Sequence, residues 1–319
     1  MFDNRVLLVT GGTGYIGRWL ARDLIGRGIE TVALDRVPAD PNSSLPLPAE
    51  AIYVEGDVTN RDAVVAAAKS RPFSAIVHLA GVVTMGCEKD PELGMRVNLG
   101  GTHNILEATR LAGIPRVVFA STISVYGPDV PQPLTENVAI EPMTWYGQSK
   151  LMAEQLGLYY QRRYGIDFRA ARLAAIVGPF RVAAGSATLY TTLILENAAL
   201  GKPYIIEVDE EAATPICYAR DAARALATLA TADSAPRRIY NVGTCRATAV
   251  GLLELAKRKY PDAKIEFRPD PEMAAVGRIS WNWELSVDAA AHDLGWRPAF
   301  SMETMAEDLM ATSRRELPL

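Results

Sequence analysis

The stretch that most restricts the fold runs Val6-Leu7-Leu8-Val9-Thr10-Gly11-Gly12-Thr13-Gly14-Tyr15-Ile16-Gly17, an apolar run passing through a cluster of glycines into helical sequence. A tight strand-to-helix turn of this kind wants residues without side chains, and it leaves unpaired backbone N–H groups and the positive end of a helix dipole aimed at one place. Gly12, Gly14 and Gly17 fit G-x-G-x-x-G, and Gly11, Gly14 and Gly17 fit the related G-x-x-G-x-x-G. The following apolar run ends at Asp35, 21 residues beyond Gly14. A carboxylate at that spacing accepts hydrogen bonds from the adenosine ribose of a dinucleotide and repels a 2′-phosphate. The expectation is a site for NAD rather than NADP, with Arg36 beside the acid as its one counter-indication.

The rest of the chain repeats this alternation. Short β-branched runs at 5–10, 30–35, 51–54, 74–79, 116–121 and 168–174 read as strands, and 15–27, 60–69, 92–112 and 146–164 have helical periodicity. Strands separated by helical crossovers predict an α/β fold, a doubly wound parallel Rossmann sheet covered on both faces. Beyond about residue 178 the rhythm loosens: helices are expected near 187–200, 219–231, 247–259 and 302–313, with strands near 204–208 and 238–241. The expected division is a dinucleotide-binding domain over 1–178 and a smaller C-terminal substrate-binding lobe over 179–319, with excursions back to the first. Pro/Ser-rich 38–48 and Pro-rich 128–142 read as long loops.

Composition narrows the class. A formal charge of −4 over 319 residues sets the overall field against nucleic acid and against an anionic membrane. No stretch approaches the roughly 18 apolar residues of a spanning helix, and Met1 to Asn4 runs into the first strand without the features of a secretory leader. Cys87, Cys217 and Cys245 are odd in number and widely spaced, as suits a reducing compartment. The chain is therefore expected to be soluble and cytoplasmic. His78, His103 and His292 have no carboxylate or thiol at ligand spacing, so no metal site is expected.

Two further segments carry chemistry. Tyr146 and Lys150 stand at i and i+4 of a predicted helix, on one face, where an ammonium favours the phenolate of its neighbour and makes it a proton acceptor for an alcohol. The strand before 121 delivers Ser121 and Thr122 to its C-terminal end, where a hydroxyl can hydrogen-bond a reacting oxygen.

In this combination the chain resembles the extended short-chain dehydrogenases/reductases, the NAD-dependent epimerase/dehydratase group, over essentially its whole length. The resemblance rests on Thr10 to Gly17, Gly56-Asp57-Val58, His78-Leu79-Ala80-Gly81, Ser121 to Gly127 and Tyr146 to Lys150, with Asn98, Gly101-Thr102, the Asn104 to Ala108 helix and Gly178-Pro179 in family order. It implies that Gly11, Gly14, Tyr15, Ile16, Gly17 and Asp35 hold the cofactor, joined by Asp57 and Val58 at the adenine. It implies the same for Leu79, Ala80 and Gly81 along its phosphate and ribose side, and for Asn98 and Ser121. Tyr146 becomes the acid/base, Thr122 the catalytic hydroxyl, and Lys150 the residue that holds the nicotinamide ribose and lowers the Tyr146 pKa. A homodimer pairing the helices near 92–112 and 146–164 is also implied.

The chain departs from the sugar-nucleotide members at two places. Ala175 stands where they usually have an Asn, and Thr214 where they usually have an Arg, so two donors for a substrate diphosphate are missing. The 214–221 segment and the tail, Ser280-Trp281-Asn282-Trp283 through Asp288, Trp296-Arg297-Pro298 and 305–310, are more similar to epimerase-type L-threonine dehydrogenases. The expectation is an NAD-dependent oxidoreductase taking hydride from a secondary hydroxyl of a small polar substrate: a hydroxy acid, an amino acid or a polyol. Arg181 and Arg278 are candidates for a substrate carboxylate, and Arg181, Arg220 and Arg278 are the arginines that could replace the missing diphosphate donors. The alternatives are a sugar-nucleotide epimerase/dehydratase and a non-catalytic dinucleotide sensor, which would need the pocket but no proton acceptor.

Overall fold

The computed structural model describes residues 5–181, 188–271 and 283–315; Arg278 and Ser280 to Asn282 lie outside the described residues. The strands β1 (Val6–Thr10), β2 (Glu30–Asp35), β3 (Ile52–Glu55), β4 (Ala75–His78), β5 (Arg116–Thr122) and β6 (Asp167–Leu173) lie in one sheet. After β7 (Ala175–Val177), β8 (Tyr204–Ile206) and β9 (Ala213–Tyr218) have intervened, β10 (Ile239–Val242) joins its edge. The order is β10-β6-β5-β4-β1-β2-β3, with every pairing parallel. The chain winds outward from β1 in one direction and from β4 in the other. A crevice therefore opens between them at the carboxyl ends of the strands, where an open sheet binds its ligand.

Both faces are buried, which is why the strands read as nearly unbroken apolar runs. Leu7, Val9 and Val77 pack under α1 (Tyr15–Gly26) and α8 (Ala219–Thr231). Leu8, Ile76, Val117 and Phe119 face the other layer, built from α2 (Arg61–Lys69), α5 (Thr102–Ala112) and α6 (Trp145–Tyr164). The helix expected over 92–112 is a composite. After α3 (Thr84–Lys89), which periodicity did not announce, α4 (Pro91–Gly94) starts on an Asp90 cap and continues through a π-helical stretch, Met95–Gly101, into α5.

The smaller part has its own core of Val177, Ile194, Leu195, Ile216, Leu252 and Leu309. Here β9 pairs antiparallel with β11 (Cys245–Thr248) and parallel with β7, while β8 pairs with β12 (Ile265–Phe267). Helices α7 (Tyr190–Leu200), α9 (Ala249–Lys259) and Met302–Ser313 pack together beside them. Strands β9, β11 and β12 and the helix Asp288–Leu294 were not predicted. They are three to seven residues long, too short for either period to declare itself.

At the amino end of the sheet, three arginines converge on one acid. Arg116, Arg169 and Arg238 all donate to Asp167, at 2.7–3.1 Å. Two of these guanidiniums also cap α8: Arg116 donates to Ala230 O, and Arg169 to Leu229 O and Ala232 O, while Arg5 reaches Thr231 O. Cations at a helix C-terminus satisfy its open carbonyls and oppose its dipole. Burial alone would raise Asp167, but the bonds and charges of Arg169 and Arg116 outweigh it and hold the carboxyl below its usual range.

Candidate active site

The glycine turn fills the mouth of the crevice with backbone. Gly11 has φ +69°, and a Cβ there would lie 2.7 Å from Ala80 N; a Cβ on Gly17 would lie 2.4 Å from Gly11 O. The turn thus presses directly on the strand end at 79–81 and on the first turn of α1. That leaves a cradle into which side chains would intrude, as a pyrophosphate requires. Gly14 is the N-cap of α1 and bears no side-chain cap. Asp35 is held at the end of β2 by Thr13 N and Val37 N, each 3.3 Å from a carboxylate oxygen. Asp57 bonds Thr59 N and Thr59 Oγ1, both at 2.8 Å, and these bonds hold its carboxyl below the usual range. The shape, the free helix end and the acid at the second strand fit a dinucleotide with an unphosphorylated ribose.

Further along the crevice lies a cavity of about 310 Å³, bordered by Ile16, Leu79, Gly81, Ser121, Thr122, Tyr146 and Lys150. Asn98 stands behind it in the π-helical stretch, fully buried. Its Oδ1 accepts from Val82 N at 2.8 Å, and its Nδ2 donates to Val82 O and Ser149 Oγ, both at 3.0 Å. Asn98 thereby ties the strand-end loop to α6. π-helical turns often mark functional sites.

Helix α6 begins at a Thr144 cap, whose hydroxyl accepts from Gly147 N at 3.0 Å. A Cβ on Gly147 would lie 2.2 Å from Ser124 O, so only glycine lets the first turn of α6 rest on the turn that follows Thr122. This contact brings Tyr146 beside Thr122, and the Thr122 hydroxyl in turn is fixed by Ser124, 3.1 Å from both its N and its Oγ. One helical turn on, Lys150 Nζ donates to Ala120 O at 2.8 Å and sits 5.8 Å from the Tyr146 ring centre.

Burial governs the ionisation of this group. It pushes the Tyr146 phenol up to about 12, against a lowering by Thr122, and the Lys150 ammonium down to about 8. Without a ligand, desolvation outweighs the lowering of Tyr146 expected from Lys150. His78, at the end of β4, is pushed down to about 3 by burial and by the Lys150 charge. It is a neutral bridge, with Nδ1 2.6 Å from Thr10 Oγ1 and Nε2 3.1 Å from Thr102 Oγ1.

One more turn along α6, Glu154 is fully buried and forms a two-pronged pair with Arg172, at 3.0 and 2.7 Å. Ser121 Oγ donates to the same carboxylate at 2.5 Å. Arg172 also donates to Tyr126 Oη, which donates on to Asn241 Oδ1 at 2.7 Å. Ser121 therefore meets the cavity while anchored from behind. Tyr15 Oη donates to Pro179 O at 3.0 Å, and Val58 packs against Gly101. Arg181 borders the cavity and donates to Ile176 O at 2.5 Å, whereas Arg220 lies over the Trp19 ring and beside Asp308, outside the cavity lining.

Sequence reasoning passed over Ser124, Thr84, Thr144, Thr188 and Trp283, all of which border the cavity. Only Ser124 had a local signal, lying two residues after Thr122; the others reach the site from separate loops. Ala175 and Thr214, the two departures from the sugar-nucleotide pattern, border the same cavity.

The likenesses agree with this geometry. L-threonine 3-dehydrogenase, mitochondrial, of Bos taurus is 27% identical over 317 residues, covering 97% of this chain and 82% of that protein. The solved GalE-like L-threonine dehydrogenase from Cupriavidus necator, in its holo form, superposes with a TM-score of 0.87 at 27% identity, over 96% of this chain and 98% of that one. A monomeric L-threonine 3-dehydrogenase from a metagenome database gives 0.85 at 26% identity, over 97% and 98%. The profile of the NAD dependent epimerase/dehydratase family matches residues 7–243, from the first strand past the last strand of the large sheet, and the chain belongs to that family.

Proposed function

We propose that the protein is an NAD-dependent dehydrogenase that oxidises a secondary hydroxyl on a small polar substrate. The observation that carries this reading is the convergence of Thr122, Tyr146 and Lys150 on one cavity at the carboxyl end of the sheet. The glycine turn, Ile16 and Asp35 would hold the cofactor, with Asp57 and Val58 at its adenine and Leu79 to Gly81 and Asn98 supporting its ribose and phosphates. NAD, when bound, supplies a hydride acceptor and a positive charge at the nicotinamide. Thr122 orients the substrate oxygen by hydrogen bonding, and Tyr146 Oη takes its proton. Lys150 stands by as a fixed positive charge that favours the phenolate. An intact proton acceptor is what a pure sensor does not need.

Tyr146→Phe should retain NAD binding by calorimetry and lower turnover by about 10³-fold, within the usual range for losing a general base. Turnover near the wild-type rate would sink the mechanism. The substrate is sought with a panel of hydroxy acids, amino acids, polyols and sugar nucleotides, followed by NADH absorbance and by product analysis. Sugar-nucleotide epimerisation is the second reading. Ala175 and Thr214 disfavour it, because neither supplies the charged or amide donor that a buried diphosphate requires.

The protein is further proposed to act as a homodimer through the layer formed by the π-helical stretch, α5 and α6, on which Met95, Leu111, Tyr159 and Tyr164 are exposed. Sedimentation should give twice the chain mass at micromolar concentration, and a monomer would remove the proposal. A reducing, cytoplasmic setting suits the three unpaired cysteines.

A further inference from the structure

The Lys150 side chain is buried, and among the described residues its ammonium makes one hydrogen bond, to Ala120 O at 2.8 Å. Gly81 borders the cavity beside it, and a Cβ there would lie 3.4 Å from Nζ, so the approach from the cavity is kept clear. A charge taken out of water needs an opposite charge or a full set of hydrogen bonds. What lies against this one is a ring: Nζ stands over Phe119, 4.6 Å from the ring centre, nearer than the Tyr146 ring at 5.8 Å. Phe119 belongs to β5 and is itself buried, with the His78 ring 5.8 Å and the Phe168 ring 6.2 Å from its own.

The face of an aromatic ring is electron-rich and attracts a cation within about 6 Å, most strongly where water is excluded. The titratable groups around Lys150 offer it little by comparison. Its own helix presents Tyr146, a phenol that burial keeps neutral, and Glu154, whose charge Arg172 already engages. Helix α3 presents Cys87, whose thiol burial pushes up, and β4 presents His78, which is neutral and would repel the ammonium if protonated. Resting on the dehydrogenase reading of Lys150 as a working charge, we propose that Phe119 is a positioning residue for this reaction. Its ring face replaces water against the Lys150 ammonium, keeps that side chain protonated, and leaves its remaining N–H groups to the cofactor ribose. In the sequence Phe119 reads as one more apolar residue of a strand.

The test reads the Lys150 proton directly and uses neither NAD nor substrate. Protein carrying lysine labelled with carbon-13 at Cε is titrated by NMR, and the Lys150 resonance is the one missing from Lys150→Met. Phe119 is replaced in turn by para-fluorophenylalanine and by a trifluorophenylalanine, which nearly keep the shape of the ring while draining charge from its face, and by leucine, which removes the face. The ring favours the charged form, so the Lys150 midpoint should fall stepwise along this series. From wild type to Phe119→Leu the fall should be about one pH unit, the size of one desolvated cation–π contact. A cooperative unfolding transition verifies that each protein is folded, and the fluorinated pair keeps the test intact if Phe119→Leu does not fold. A ring that only packs predicts a midpoint indifferent to fluorine. Midpoints that are equal across the fluorinated series, or that rise, would overturn the proposal and leave the dehydrogenase reading standing, since that reading fails on the turnover of Tyr146→Phe and not on this titration.

Discussion

The two ends of the large sheet treat charge in opposite ways. At the amino ends of β5 and β6, Arg116, Arg169 and Arg238 surround Asp167, the first two also cap α8, and the bonds hold the acid in its charged form. At the carboxyl ends of the same strands, burial outweighs the partners: Tyr146 is pushed up to about 12 and Lys150 down to about 8. The pairing that characterises the lower end stops at Glu154 and Arg172, one turn of α6 short of Lys150. One end is arranged so that its ions are comfortable, the other so that they are poised. Strained ionisation in a cleft is what acid–base chemistry needs and what a structural ion pair avoids.

The sharpest way to break this contrast is Lys150→Met. Turnover should fall by about 10³-fold, yet the protein should become more stable at neutral pH. The Lys150 proton is bound less tightly in the folded chain than its ordinary value of 10.5 implies, by about 2.5 pKa units. At about 1.4 kcal/mol per unit that is a penalty of about 3 kcal/mol, and losing the bond to Ala120 O returns about 1, leaving a gain of about 2 kcal/mol. The penalty is full below about pH 8, fades as the pH rises toward 10.5, and is absent above it, so the gain should disappear at high pH. Denaturant unfolding of both proteins at pH 7 and pH 11 measures it; a variant less stable than wild type at pH 7 would contradict the poised end.

Asp167→Ala should do the reverse. It leaves three guanidiniums facing one another, with Arg169 buried, and should cost about 3 kcal/mol in denaturant unfolding. The folded fraction should keep its kcat, since seven residues of β5 separate the two ends, about 20 Å. Loss of kcat in the folded variant would mean that the ends are coupled.

The smallest effect concerns the carboxyl end of β2, outside the cavity. NAD should bind more tightly than NADP, and Asp35→Ala should narrow the ratio by about tenfold, the value of one charge-assisted contact. Calorimetry with both cofactors measures this. Equal affinities in the wild type would assign the 2′-position to Arg36.

The poised end was the more legible in the sequence. Its glycines, Asp35 and the Tyr146/Lys150 spacing are local features of single strand–turn–helix units, so spacing alone placed them. The satisfied parts were not legible, because Asp167 collects its arginines from β5, β6 and the loop before β10, and Ser121, Glu154, Arg172, Tyr126 and Asn241 are far apart in sequence. Only folding brings such partners together. The bonds of Asn98 stayed hidden for the same reason, although its place in the family order was seen. The short strands of the smaller core carried too few residues to show a period.

The π-helical stretch at Met95–Gly101 bears on how this protein could change. An extra residue in a helix turns everything on one side of it by about 100° relative to the other. In this helix it lets Ile105, Leu106 and Ala108 face the sheet while Asn98 faces Val82 and Ser149. The two faces are set by different stretches of one rod, joined at an adjustable coupling. Deleting one residue there would preserve a helix and its core contacts yet swing Asn98 off the cleft, so the wall of the site can be re-aimed without repacking the interior.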